Sequence, residues 1–176
     1  MTTSTTTAAE LARALMEAMA TGTPEDFGRL VAPDAYNREA AAELAAARVP
    51  GPDGWYATAL WLRGMFSDLS FEIHDAVADG TLVALHGTMR GVHTGRYTKY
   101  ASDGTVVVDR PATGRAIAAT QSHWFRVADG QLTEHWANRD DLGTALQLGW
   151  VPPTPLYLAR ALFAKRKAVR LAAAAA

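Results

Sequence analysis

Leu11, Leu15 and Met19 recur at four-residue spacing and place one apolar stripe on a helix over residues 7–20, which Gly22 stops. Thr23-Pro24-Glu25-Asp26 starts a second short helix, with Thr23 as N-cap and Pro24 at the first helical position. Phe27, Leu30 and Val31 form its apolar side, and Pro33 and Asp34 end it. Tyr36-Asn37 then follows as a short extended piece, and the alanine-rich stretch 38–48 suits either helix or loop. After the break at Val49-Pro50-Gly51-Pro52-Asp53-Gly54, helical periodicity returns from Trp55 to Phe66. Trp55, Ala59, Leu62 and Phe66 share one face of that helix, with Tyr56, Leu60, Trp61 and Met65 beside it, so it is expected to be deeply buried all round.

From Leu69 the period changes to two. Phe71, Ile73, Asp75 and Val77 alternate with Glu72, His74 and Ala76, and Asp79-Gly80 is a hairpin turn. Further strands are expected over 81–92, 116–127 and 132–140, with Asp129-Gly130 turning between the last two. A short helix over 141–148 ends at Gly149, Pro152-Pro153 breaks the chain, and a last helix runs from Leu156 to Leu171. Helices first and an antiparallel meander afterwards mean an α+β fold, expected as one domain over 1–152 with a helical extension over 153–176. That last helix carries Arg160, Lys165, Arg166, Lys167 and Arg170, and Leu158, Leu162 and Val169 are expected to pack it.

Composition narrows the function classes. The 176 residues are 49% apolar and 20% charged, enough for a packed core without stapling. A formal charge of −1 gives no nucleic-acid footprint, and the absence of cysteine excludes disulfides, thiolate metal sites and cysteine nucleophiles. The stretch Met1-Thr2-Thr3-Ser4-Thr5-Thr6-Thr7 has neither the basic nor the apolar part of a signal peptide, and no apolar run is long enough to span a membrane; a cytoplasmic protein is the expectation. His74, His86, His93, His123 and His135 lie scattered over different strands with no helical His pair, so no metal or other cofactor is expected. Gly87, Gly91 and Gly95 do not precede a helix; they are read as points where the sheet bends, not as a phosphate loop.

Gly114-Arg115, the run Gln121-Ser122-His123-Trp124-Phe125-Arg126-Val127-Ala128-Asp129-Gly130, then Glu134-His135-Trp136, Asp140-Asp141-Leu142 and Gln147-Leu148-Gly149 resemble the C-terminal signature of the SnoaL-like polyketide cyclases. Tyr36-Asn37-Arg38-Glu39-Ala40, Leu62 to Phe66 and Gly87 to Gly95 are similar to other stretches of that family. The resemblance implies a cone-shaped domain of the nuclear-transport-factor-2-like fold. A strongly bent antiparallel sheet would wrap the N-terminal helices and enclose a mostly apolar pocket, and the chain would form a homodimer. It implies ring closure of a polyketide-like small molecule without metal or organic cofactor, with an aspartate on the last strand as acid and base and a histidine on the preceding strand assisting. The histidine maps to His123, but the aspartate position is Ala137.

Strand alternation then sorts the candidates. Gln121, His123 and Phe125 share one face, and so do His135, Ala137 and Arg139 on the next strand. His123 and His135 are the candidate acid–base groups, because imidazole titrates near neutrality. Asp140 is a third catalytic candidate, with helix capping as its alternative role. Arg139 is a candidate anion holder, and Gln121, Phe125, Asn37, Tyr36, Trp61 and Met65 are expected to bind the substrate. Two other readings stay open. One is an epoxide-opening enzyme using Asp140, Glu39 or Asp75; the other is a non-catalytic small-molecule binder. The stretch 96–115, with its β-branched run Thr105 to Val108, is expected to form an extra arm that covers the pocket or crosses a dimer.

Overall fold

The computed structural model describes residues 7–152 and 154–174. The expectations for residues 1–6 and for Pro153 lie outside these. The first helix, α1 (Ala8–Thr21), opens with a reciprocal capping box in which Thr7 Oγ1 accepts from the Glu10 backbone N–H and the Glu10 carboxylate accepts from the Thr7 N–H. Helix α2 (Pro24–Leu30) follows, started by Pro24, and strand β1 (Val31–Asn37) continues without a loop. Two 3-10 turns, Arg38–Ala42 and Ala45–Arg48, occupy the alanine-rich stretch and lead into α3 (Pro52–Met65). The strands β2 (Phe66–Asp79), β3 (Leu82–His93), β4 (Tyr97–Tyr100), β5 (Val106–Arg110), β6 (Ala116–Ala128) and β7 (Gln131–Arg139) come next. Helices α4 (Asp141–Gln147) and α5 (Pro155–Ala174) close the described chain, and none of its helices is long and apolar enough to cross a membrane.

The main sheet has the order β1-β7-β6-β3-β2. The α+β class and the antiparallel meander stand as expected, with one correction at the edge. The piece around Tyr36-Asn37 is a full strand and pairs parallel to β7, with Asn37 opposite His135. Periodicity could not show this, because the partner lies roughly a hundred residues away and parallel pairing needs a long crossover. Irregular register on β2 between Ser67 and Ser70 and between Ile73 and Asp75 bends the sheet. Gly87 sits opposite Ile73, where an added Cβ would come within 2.4 Å of the Glu72 carbonyl oxygen.

The core packs α1, α2 and α3 against the concave face through Leu11, Leu15, Phe27, Trp55, Ala59, Val83, Leu85, Phe125 and Leu132. Helix α3 is not buried all round. Trp55 and Ala59 face the core, Thr58, Trp61, Leu62 and Met65 face a cavity, and Leu60 is 48% exposed. The expected arm is a hairpin, β4–β5, folded over the mouth of that cavity. Its ends are tied by the Arg96–Asp109 ion pair, and Thr98 Oγ1 also donates to the buried Asp109 carboxylate. Its tip is held by Arg48, which donates to the carbonyls of Ala101 and Ser102 while also donating to that of Glu43.

Helix α5 packs against β5, and the Ala164 carbonyl accepts from Arg96 at 3.0 Å. Leu158, Leu162 and Val169 do not pack it; they are exposed, and Tyr157 supplies the inward contact beside the cluster around Trp150. The expectation that these three apolar side chains pack the helix is therefore corrected: α5 is held along β5, by the Arg96–Ala164 contact and by the Tyr157 ring.

Thr94 and Gly95 hang the arm from α3 by donating to the Met65 carbonyl at 3.1 and 3.0 Å. A Cβ at Gly95 would lie 1.7 Å from the Gly64 carbonyl oxygen. Gly95→Ala is expected to lower unfolding free energy by about 1–3 kcal/mol, the cost of forced overpacking, read as a lower urea midpoint at unchanged slope.

Candidate active site

Gln121, His123 and Phe125 project from β6 into the concave face, as alternation requires, and all three are buried. On β7, Ala137 lies directly opposite His123, and His135 and Arg139 flank it. Asn37 enters from the end of β1 opposite His135. Together with Trp61 and Met65 from α3, these side chains line a cavity of about 290 Å³ walled by Met16, Met19, Phe71 and Met89. A larger groove of about 710 Å³ between α1 and α2 is shallow, lined by Glu17, Asp26 and Arg29 among others, and far from the histidines. Asp26 and Arg29 are already committed to the α2 cap and to each other, and the smaller cavity holds the histidines, so the smaller cavity is the site.

The two histidines belong to a continuous hydrogen-bonded chain. The Glu39 backbone N–H donates to Asn37 Oδ1 at 3.2 Å, which fixes the amide with its oxygen inward and its nitrogen toward Thr58 Oγ1. His135 Nδ1, 2.9 Å from Asn37 Oδ1, must therefore carry the hydrogen. A neutral His135 then presents a bare Nε2, which accepts from His123 Nδ1 at 3.0 Å. This leaves the His123 lone pair on Nε2, 2.8 Å from Gln121 Oε1. The amide oxygen suits a protonated ring; turned over, the same amide donates to the neutral one. The rings stack with centroids 5.3 Å apart, between Phe125, Trp55 and Phe71.

Burial, and secondly the Arg139 charge, pushes the pKa of His123 down to about 4. His135 is also held well below the usual imidazole value, first by burial and then by His123 and Arg139. Both rings are neutral at pH 7. Glu43 is only 3% exposed; its carboxylate accepts from Thr58 Oγ1 at 2.6 Å, and burial raises its pKa. Glu39 reaches the strand that lacks the aspartate: its Oε1 accepts from the Ala137 N–H at 3.1 Å and its Oε2 pairs with Arg139 at 2.8 Å.

Two sequence candidates fall outside the cavity. Asp140 caps α4, accepting from the Gly143 N–H at 2.7 Å, and is not among the cavity lining, a placement that suits the capping alternative. Tyr36 is 55% exposed because it alternates with Asn37 on β1 and so points away from the pocket. Asp75 is exposed as well. The sequence reading missed Glu43, Thr58, Met89, Lys99, Arg110 and Trp150 as lining residues. A lone carboxylate within an alanine run was the available signal for Glu43; the others are brought in by tertiary folding alone. Among the described residues, no group of three His, Cys, Asp or Glu side chains could hold a metal ion.

The sequence profile described as SnoaL-like polyketide cyclase matches residues 9–148. The chain belongs to this family. It is 31% identical over 147 residues to the aklanonic acid methyl ester cyclase DnrD of Streptomyces peucetius, covering 83% of this chain and 93% of that one. It is 27% identical over 136 residues to the nogalonic acid methyl ester cyclase of Streptomyces nogalater, covering 77% and 92%. Among solved structures, IdmH of Streptomyces antibioticus superposes with a TM-score of 0.62 at 30% identity, over 81% of this chain and 98% of that one. The chain is thus an enzyme of the cyclase type, and its pocket differs from the pattern implied by the resemblance in carrying Ala137 opposite His123.

The depressed histidine values fix the sign of a pH effect. Below about pH 6.5 the unfolded chain binds protons that the native rings refuse, so native stability falls as pH drops from about 6.5 toward about 4 and is complete above it. Urea midpoints measured at pH 7 and pH 5 should show that fall, and His123→Asn should flatten it. An equal pH slope in the variant would contradict the assignment.

Proposed function

We propose that this chain closes a ring in a polyketide intermediate by intramolecular acid–base cyclisation, with His123 Nε2 as the atom that takes and returns the proton. The observation that carries this reading is the fixed polarity of the Asn37–His135–His123 chain, which delivers the basic lone pair to that nitrogen. A neutral ring is the form a base needs, and burial keeps it neutral. As a substrate C–H proton moves to Nε2, the Gln121 amide oxygen accepts from the new imidazolium N–H. The enolate formed beside it stabilises the cation that burial alone opposes. Attack on the second carbonyl then gives an alkoxide, which recovers the proton from His123. His135 holds the ring in place, and Trp61, Met65, Met89 and Phe125 provide an apolar bed for a planar substrate.

Acid–base closure is favoured over epoxide opening because none of the carboxylates that reading calls on, Glu39, Asp75 and Asp140, stands free in the cavity. Glu39 is engaged by Arg139 and the Ala137 N–H, and Asp75 and Asp140 are outside the lining. His123→Ala is expected to lower turnover of a polyketide substrate by about 10²–10⁴-fold while the thermal transition is retained. Unchanged turnover would end the assignment. Tight product binding with no rate enhancement in the wild type would favour the binder reading.

The proposal includes a cytoplasmic homodimer. Its support is the face of β6 and β7 opposite the pocket, where Trp124 and Trp136 stack 6.2 Å apart with Arg38 4.6 Å from the Trp136 ring. Sedimentation equilibrium at micromolar concentration should give twice the 18.8 kDa chain mass, and Trp124→Glu should give a single chain. A monomeric wild type would refute this part.

A further inference from the structure

Among the described residues, two cations in the pocket wall have no carboxylate partner. Strand alternation on the arm puts Tyr97 and Lys99 of β4, and Val108 and Arg110 of β5, on the face that lines the cavity. Thr98 and Asp109 point the other way, and the Asp109 carboxylate is taken up by Arg96 and Thr98. The acid nearest in sequence to Arg110 is therefore turned away from the pocket. Arg139, the other cation in the lining, is paired with Glu39 and Asp141. Among the described residues, Lys99 and Arg110 enter no ion pair.

Both are nonetheless held in place. The Arg110 guanidinium lies 4.4 Å from the centroid of Trp150, and Lys99 Nζ lies 5.7 Å from that of Tyr97. Tyr97 packs against Trp150 at 4.9 Å and against Trp61 at 6.1 Å. The result is one wall of three aromatic rings carrying two half-buried positive charges, closed from behind by the Arg96–Asp109 pair and α5. A cation fixed on an aromatic face keeps its outward N–H groups for another acceptor, and the apolar surroundings strengthen its attraction for an anion.

We propose that this wall is an anion subsite that binds a carboxylate carried by a planar, conjugated substrate, so that the chain selects the free acid over its ester. The inference rests on the reading that the pocket takes a polyketide, and it adds which functional group the substrate presents to the arm. The acidic C–H would lie toward His123 and the carboxylate toward Lys99 and Arg110, with the apolar body across Met65 and Met89.

The test uses a dihydroxyanthraquinone carboxylic acid and its methyl ester as probes, with binding followed by quenching of tryptophan fluorescence. The wild type is expected to bind the acid at least about ten-fold more tightly than the ester, with the preference shrinking at high salt. Lys99→Met combined with Arg110→Met should abolish the preference and leave ester affinity unchanged, which also reports an intact pocket. The proposal is overturned if acid and ester bind the wild type equally, if neither binds, or if the preference survives in the double variant. It is overturned too if ester affinity falls as far as acid affinity, since the two residues would then serve packing alone. Loss of the preference in the double variant, together with full turnover by His123→Ala, would keep the subsite and discard the cyclisation mechanism; the reverse pair of results would do the opposite.

Discussion

The hydrogen bond from the Glu39 backbone N–H to Asn37 Oδ1 sets the direction of everything downstream in the pocket. A backbone N–H can only donate, so it removes the ambiguity that amides and imidazoles otherwise carry. One fixed donor at the end of β1 decides the tautomer of His135, that of His123, and the nitrogen on which the last lone pair resides. The parallel pairing of β1 with β7 makes this possible, because it brings Asn37 level with His135.

A neutral histidine pair and a missing aspartate belong together physically. An ionised carboxylate at position 137, directly across from His123, would favour the imidazolium and pull the ring away from its neutral form. With alanine there, the rings sit among Phe71, Phe125 and Trp55, and burial dominates. Glu39 comes close to the same strand, but its charge is offset by Arg139 and its other oxygen is used by a backbone N–H. Charge in this site is kept at the margins and the centre is left polar but uncharged.

Much of this was legible in the chain itself, for identifiable reasons. The period-two runs gave β2, β3, β6 and β7, the Asp-Gly pairs gave their turns, and alternation placed Gln121, His123 and Phe125 on one face with His135 and Arg139 opposite. Local signals failed where distant contacts decide. β1 is a strand because β7 is available to pair with it, and Tyr36 points outward because Asn37 points in. Asp140, a catalytic candidate with capping as its alternative, lies one residue before a helix whose first turn needs an acceptor. Thr58, Arg110 and Trp150 carried no mark of the pocket, since each reaches it from a different segment through tertiary folding.

Arg48 joins parts of the molecule that are far apart in sequence. Its guanidinium holds the carbonyls of Ala101 and Ser102 at the tip of the arm and the carbonyl of Glu43 beside the histidine chain. Lifting the arm to admit a bulky guest strips the charge-assisted bonds to Ala101 and Ser102, while those to Glu43, on Arg48's own side, can persist. Entry is thus latched at the tip of the doorway by one residue of the floor, and that residue can keep the floor in order while the doorway stands ajar.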